Sequence, residues 1–356
     1  MKNEIHVNFE LNKQSFKSIK ELLAYTKDIN SSIHDFLLDW FDEKNYVIVN
    51  TSGSTGKPKP MQLRKEFMIN SAKATGAFFN LPENTSALLC LSTDYIAGKM
   101  MLVRALVLGW KLDVVTTDSN PLKNVTKHYD FSAMVPMQLQ NSLSDLHKVQ
   151  KLIVGGGVVS NELIAQIQGI DTAIFATYGM TETVTHIAVK QLNQFIVSNE
   201  GQVSNYYTLP NVEVSKDKRG CLVINAPKVA EEVIVTNDVV NLISNTSFMW
   251  LGRYDNVINS GGVKLHPEKI EEKLSTMISN RFFVTGIPDN RLGEKLVLLI
   301  EGVADESLEI DLKNELENST VLTKYEVPKE IHFIEAFVET ETKKIQRTKT
   351  LDLIYV

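Results

Sequence analysis

The run Tyr46-Val-Ile-Val-Asn-Thr51-Ser-Gly-Ser-Thr-Gly-Lys-Pro-Lys59 joins a short β-branched apolar stretch to a dense cluster of small polar residues, the pattern of a buried strand feeding a loop. Gly53 and Gly56 permit the backbone angles that turn successive N–H groups toward one point. The hydroxyls of Thr51, Ser52, Ser54 and Thr55 and the ammonium groups of Lys57 and Lys59 surround that point with donors and positive charge. By composition this is a polyphosphate cradle. It is not a Walker A loop, whose glycines stand farther apart than Gly53 and Gly56 do. The bland alternative is a solvated turn.

Outward from this loop the chain alternates. Upstream, Ser18 to Ile33 and Ser32 to Phe41 carry apolar residues at mixed three and four spacing, as helices do. Downstream, Phe67, Ala72, Thr75 and Phe79 suit one helical face. Short β runs then alternate with helical segments at Leu88 to Leu91, Leu112 to Thr116, Ala133 to Val135, Lys151 to Val154 and Ala173 to Ala176. This order predicts an α/β fold with a largely parallel sheet. Between Val184 and Met249 the texture changes to short strands with turn residues, a β-rich subdomain of a large N-terminal α/β domain. After Gly252 the chain reads in α+β order, with a strand pair around Ser260 to Gly262 and a helix near Pro267. The expected division is therefore 1–252 and 253–356.

Length and composition agree with two domains. At roughly 150 residues per domain, 356 residues suggest about two. With 43% hydrophobic and 22% charged residues the chain is an ordinary globular one, which sets aside disorder and fibrous folds. A net charge of −6 argues against a backbone-tracking nucleic-acid partner. The charged N-terminus lacks the apolar region of a signal peptide, and no stretch is apolar for the ~18 residues of a membrane span, so a cytoplasmic location is expected. Cys90 and Cys221 stand inside apolar runs and read as buried free thiols.

Two further clusters follow β runs. Gly155-Gly-Gly157-Val-Val-Ser160 nearly matches a dinucleotide fingerprint, with Ser160 in the third glycine position. It reads better as the wall of a nucleotide or substrate pocket, formed by Gly155 and Gly156, with Ser160 capping a helix. The run Tyr178-Gly-Met-Thr181-Glu182 places a ring, a hydroxyl and a carboxylate together; these groups can stack on a base, bond a phosphate oxygen and hold magnesium. Alone, it would read as a helix N-terminus capped by Thr181.

Taken in order, Thr51 to Lys59, Tyr178 to Glu182, Thr236-Asn-Asp238, Gly252-Arg-Tyr-Asp-Asn-Val-Ile258 and Thr342-Lys-Lys-Ile-Gln-Arg347 resemble the motifs of the adenylate-forming ligases, the superfamily of acyl-CoA synthetases, peptide-synthetase adenylation domains and luciferases. The resemblance covers nearly the whole chain. It implies a large N-terminal domain, a small mobile C-terminal domain hinged near Asp255, and ATP-dependent activation of a carboxylic acid. The loop Thr51 to Lys59 would embrace the β- and γ-phosphates, Tyr178 would stack near adenine, and Thr181 would contact the α-phosphate. Glu182 would bind Mg2+, and Asp238 and Arg253 would hold the ribose. Lys344 would be the catalytic lysine, and Gly261 and Gly262 would line the path of coenzyme A. Three departures stand out: Lys343 where the family has glycine, Asn237 beside Asp238, and Asn256 after Asp255. None removes a charge that the chemistry requires.

Within the superfamily, the early phosphate loop makes the chain compact, similar to the short bacterial o-succinylbenzoate–CoA ligases of menaquinone biosynthesis. Those have a His-x-x-Gly stretch followed by arginine; here Tyr95 stands for the histidine, while Gly98 and Arg104 match. That acid carries a second carboxylate, which needs a cation in an apolar pocket. Arg104 and Lys99 are the candidates, with His186 a further wall residue. Both cations could equally be surface residues of a helix, and His186 a satisfied core histidine. The alternatives are a ligase for another aryl or short-chain acid, an enzyme that loads a carrier protein instead of coenzyme A, and a nucleotide-binding module without activity. The resemblance leaves a homodimer open.

Overall fold

The computed structural model describes residues 4–50, 59–194, 205–303, 306–340 and 345–354. Five parallel strands form the heart of a 13-stranded sheet, in the order Lys111–Val114, Ser86–Leu89, Tyr129–Met134, Val149–Val154, Ala173–Gly179. These are the β runs expected from the alternation, each shifted by a few residues at its ends. The β-rich stretch does not stand apart as a sheet of its own. His186–Gln191 pairs antiparallel with Ala173–Gly179, and Tyr206–Thr208, Ser247–Arg253, Ile234–Ser244, Cys221–Asn225 and Glu213–Lys216 continue the same sheet outward. The sequence texture changes there because strand direction changes: helical crossovers give way to tight turns.

The strand Tyr46–Asn50 differs from expectation. It is not an interior strand but one half of a two-stranded antiparallel ladder with Pro60–Arg64, with Asn50 opposite Pro60. Val47 and Val49 point inward while Ile48 is exposed, so the β-branched run is half-buried. The polar run 51–59 therefore links two paired strands; residues 51–58 lie outside the described residues.

Helix Ile96–Leu108 is apolar on all sides, with Met100, Met101, Leu102, Val103 and Ala105 fully buried. Such a helix belongs in the interior. It packs against Lys65–Phe78, which buries Met68, Ala72 and Thr75. Cys90 and Cys221 are both buried and unbridged. No helix among the described residues is long and apolar enough to cross a membrane.

From Ile258 onward a second sheet forms, in which Ile258–Ser260, Val263–Leu265, Gly293–Glu301, Phe282–Asp289 and Glu330–Ile334 pair around cores of their own. Helix Pro267–Leu274 covers it and carries Glu271, which accepts from Val284 N at 2.9 Å and faces the Arg347 guanidinium at 2.7 and 2.8 Å. Burial pushes the Glu271 carboxyl up, and Arg347 opposes that rise. Removing one partner of such a pair leaves a desolvated charge. Arg347→Ala should therefore cost about 2–4 kcal/mol, a range set below the fully buried case because both groups keep some solvent. Chemical denaturation checks this, and Glu271→Met in the same chain should recover most of the loss.

Candidate active site

A cavity of about 250 Å³ opens at the C-terminal ends of the parallel strands. Leu91, Met134, Val135, Gly155, Gly156, Thr177 and Gly179, at or just past the ends of four neighbouring strands, line it. The chain leaves Ser86–Leu89 to one side and returns on the other, so this is a topological switch point, where open α/β sheets bind ligands. Gly155 is required because a Cβ there would press on Thr177 Oγ1, and Gly179 because one would collide with the Thr185 carbonyl. Ser160 does cap the short helix Asn161–Gln166, and Gly155 and Gly156 are pocket wall.

Thr181 does not cap a regular helix. Residues Thr181–Thr183 form one 3-10 turn, and Val184 follows with φ 67° and ψ −58°. Thr185 N donates to Thr183 O at 2.7 Å across Val184, a γ-turn that is rare and strained for a β-branched residue. The turn leaves Glu182 exposed, puts Thr181 and His186 on the cavity wall, and has no signature in the sequence.

Five of the expected residues thus meet at one cavity: Arg104, Gly155, Gly156, Thr181 and His186. Arg104 is 2% exposed. Its Nε donates to Thr75 Oγ1 at 3.3 Å, and its Nη2 has no partner. His186 is 5% exposed and its Nε2 is likewise unpaired. Buried polar groups are nearly always satisfied, and Arg104 Nη2, which can only donate, therefore marks a place for an anionic or acceptor group, while the His186 Nε2 can donate or accept. Burial pushes the Arg104 guanidinium down to about 9. Burial, followed by the Arg104 charge, holds the His186 imidazole well below its ordinary value, so the ring is neutral at pH 7.

Lys99 is not among the residues that line the cavity. Its ammonium bonds the Thr93 carbonyl and lies 5.3 Å from the Phe36 ring centroid, so it fastens the loop before its own helix.

A second group forms where strands Ile234–Ser244 and Ser247–Arg253 pair Asp238 with Arg253. Asp238, 8% exposed, accepts from Tyr178 OH at 2.7 Å and Trp250 Nε1 at 3.1 Å, with Arg253 Nη1 3.6 Å away. Burial and the Asp238 charge push the Tyr178 phenol up. Phe248 and Tyr206 pack against the Tyr178 ring at 5.2 and 5.7 Å. Nothing in the local sequence marks Trp250, Tyr206 and Phe248 as site residues. Their alternation along the strands was the available signal, but it does not distinguish a site from core.

Asp255 lies just beyond this group and accepts from Asn237 Nδ2 at 3.3 Å and Arg253 Nη2 at 3.3 Å. Gly261 and Gly262, with φ of 59° and 81°, form the two-residue turn of a hairpin and do not line the cavity. Lys59 is exposed at the start of the second hairpin strand. Thr51, Ser52, Gly53, Ser54, Thr55, Gly56 and Lys344 lie outside the described residues.

Known proteins resemble this chain in sequence and fold. A family model described as AMP-binding enzyme matches residues 15–226. The 2-succinylbenzoate–CoA ligase of Lactococcus lactis is 25% identical over 332 residues, covering 87% of this chain and 71% of that protein. The crystal structure of an acyl-CoA synthetase (AMP-forming)/AMP-acid ligase II-like protein from Dyadobacter fermentans is 38% identical, with a TM-score of 0.62, covering 94% of this chain and 98% of that one. The o-succinylbenzoate coenzyme A synthetase of Bacillus subtilis, in complex with ATP and a magnesium ion, superposes with a TM-score of 0.71 at 19% identity over 96% of this chain and 83% of that one, a likeness of fold. With the family model spanning more than half its length and a relative at 38% identity over nearly all of it, the chain belongs to the AMP-binding enzyme family, the adenylate-forming ligases.

Proposed function

We propose that this chain is a 2-succinylbenzoate–CoA ligase. In this reading it joins ATP and the acid into an acyl-adenylate with release of pyrophosphate, then passes the acyl group to the thiol of coenzyme A with release of AMP, in the cytoplasm. The observation that carries it is Arg104, a buried arginine with an unpaired Nη2 on the wall of a cavity at the strand ends. An acid with a second carboxylate is what such a cation is for, and relatives named for that acid support the choice.

The roles divide by position. Arg104 holds the distal carboxylate and His186, Gly155 and Gly156 wall the chamber. Thr181 orients the α-phosphate at its mouth, while the Tyr178–Asp238–Arg253 group receives the nucleoside. Each Asp238 oxygen keeps a second lone pair beyond its bonds to Tyr178 and Trp250. Glu182, exposed beside Thr181, would hold magnesium, which is commonly bound by one or two carboxylates together with substrate phosphates. When bound, magnesium neutralises phosphate charge. The separate cores of residues up to Phe248 and from Ile258 onward support a division at 252/253 with Asp255 as hinge. Rotation of residues 253–356 about it would bring Gly261 and Gly262 to the thiol path.

Acid-dependent exchange of labelled pyrophosphate into ATP tests the reading, because only an adenylating enzyme runs backward through acyl-AMP. Exchange with 2-succinylbenzoate exceeding that with other aryl acids, and a thioester on adding coenzyme A, is the expected result. No exchange with any acid would leave a nucleotide-binding module instead. Exchange without a coenzyme A thioester would move the second step to a carrier protein.

A further inference from the structure

Two cavities meet at His186. One is the acid chamber; the other, also about 250 Å³, opens between helix Lys65–Phe78 and the turns near Leu209 and Lys228. Among the described lining residues, His186 is the one the two share. Behind it the walls are apolar, from Ala74, Ile187, Leu209 and Val212, and Lys73 and Lys228 stand exposed at the rim.

The imidazole is unlike a structural core histidine. Such a ring has both nitrogens bonded, whereas Nε2 here has no partner and Nδ1 only a 3.5 Å contact with Thr185 Oγ1. Its position comes from the main chain: the γ-turn at Val184 on one side and the close approach of Gly179 to Thr185 and His186 on the other. Neutral, buried and held by the backbone, it acts as a wall. Arg104, from helix Ile96–Leu108, bonds Thr75 on the helix that also supplies Ala74 to the second cavity.

We infer that His186 sets the length of the acid this enzyme accepts, closing the chamber in front of a second compartment suited to a longer acid with an apolar middle and an anionic end. The inference rests on the ligase reading. With the ring in place, an acid stops at Arg104. With the ring removed, a longer dicarboxylic acid extends between Ala74 and Leu209 and presents its distal carboxylate to Lys73 and Lys228.

Pyrophosphate exchange with a homologous series of aryl dicarboxylic acids, lengthened by two to four methylenes, tests this in wild type, His186→Ala and His186→Val. The valine variant keeps strand propensity should the alanine variant fold poorly. In either truncation, kcat/KM for the long acids should rise at least about tenfold while that for the short acid falls. One methylene in an apolar pocket is worth ~10-fold or more. Adding Ala74→Leu, which refills the second compartment, should abolish the gain. A folded truncation that still exchanges with the short acid but gains nothing for long ones overturns the inference, as does a gain that survives Ala74→Leu. Wild type inert toward every acid overturns the ligase reading, a separate result.

Discussion

Lys344→Ala enzyme should exchange pyrophosphate on the order of 100- to 1,000-fold more slowly than wild type, the effect of losing one preorganised donor from a developing oxyanion. As the carboxylate attacks and pyrophosphate departs, negative charge gathers on the phosphate oxygens, and a fixed cation is worth more in that transition state than before it. The loss should therefore appear in kcat. Lys343, which stands where the family has glycine, provides the control: Lys343→Ala should leave exchange within a few-fold of wild type. Chemically prepared acyl-adenylate supplied with coenzyme A should still give thioester in Lys344→Ala protein, because the role proposed for the lysine belongs to the first half-reaction. Wild-type exchange in Lys344→Ala would remove Lys344 from the mechanism.

Arg104→Leu should be the second large change, and it separates function from stability. Truncating one partner of a buried, hydrogen-bonded charge pair costs about 2–5 kcal/mol, or roughly 30- to 4,000-fold. We expect kcat/KM for 2-succinylbenzoate to fall by that much, mainly through KM, while a monocarboxylic analogue loses far less. Stability should move the other way. In the free protein the guanidinium is buried with Nη2 unpaired, and its value lies below that of an unfolded arginine. Burial without a charge partner disfavours the guanidinium and costs stability. Leucine removes the burden at neutral pH, so the variant should melt at or above the wild-type temperature, as at sites where function is kept at the expense of stability. Loss of diacid and monoacid activity alike would show Arg104 to be a packing residue.

Much of the molecule was legible in its residues because the information is local. Alternating β runs predicted the parallel strands, since apolar runs of that length bounded by turn residues have few other folds available. The clusters at Gly155 and Tyr178 fell at strand ends because strand ends are where a parallel sheet admits a ligand. Strand pairing was less legible. Tyr46–Asn50 looked like an interior strand, and only its ladder with Pro60–Arg64 revealed Ile48 as exposed.

The cation at the acid chamber shows the boundary most clearly. Arg104 and Lys99 lie on one short helix that is apolar on every side. Helical periodicity therefore could not say which cation faced inward, and both remained equal to surface residues. Three-dimensional packing separated them: Lys99 turns back to the Thr93 carbonyl, while Arg104 is driven into the interior beside His186. By itself, the sequence determined the family chemistry, the order of the motifs and the strands that carry them, all properties of contiguous residues. Only the tertiary structure decided that Arg104 and His186 share a chamber with unpaired nitrogens, and that His186 divides it from a second. Burial and orphaned hydrogen-bonding groups depend on what distant segments bring into contact, and that is not written in any local run.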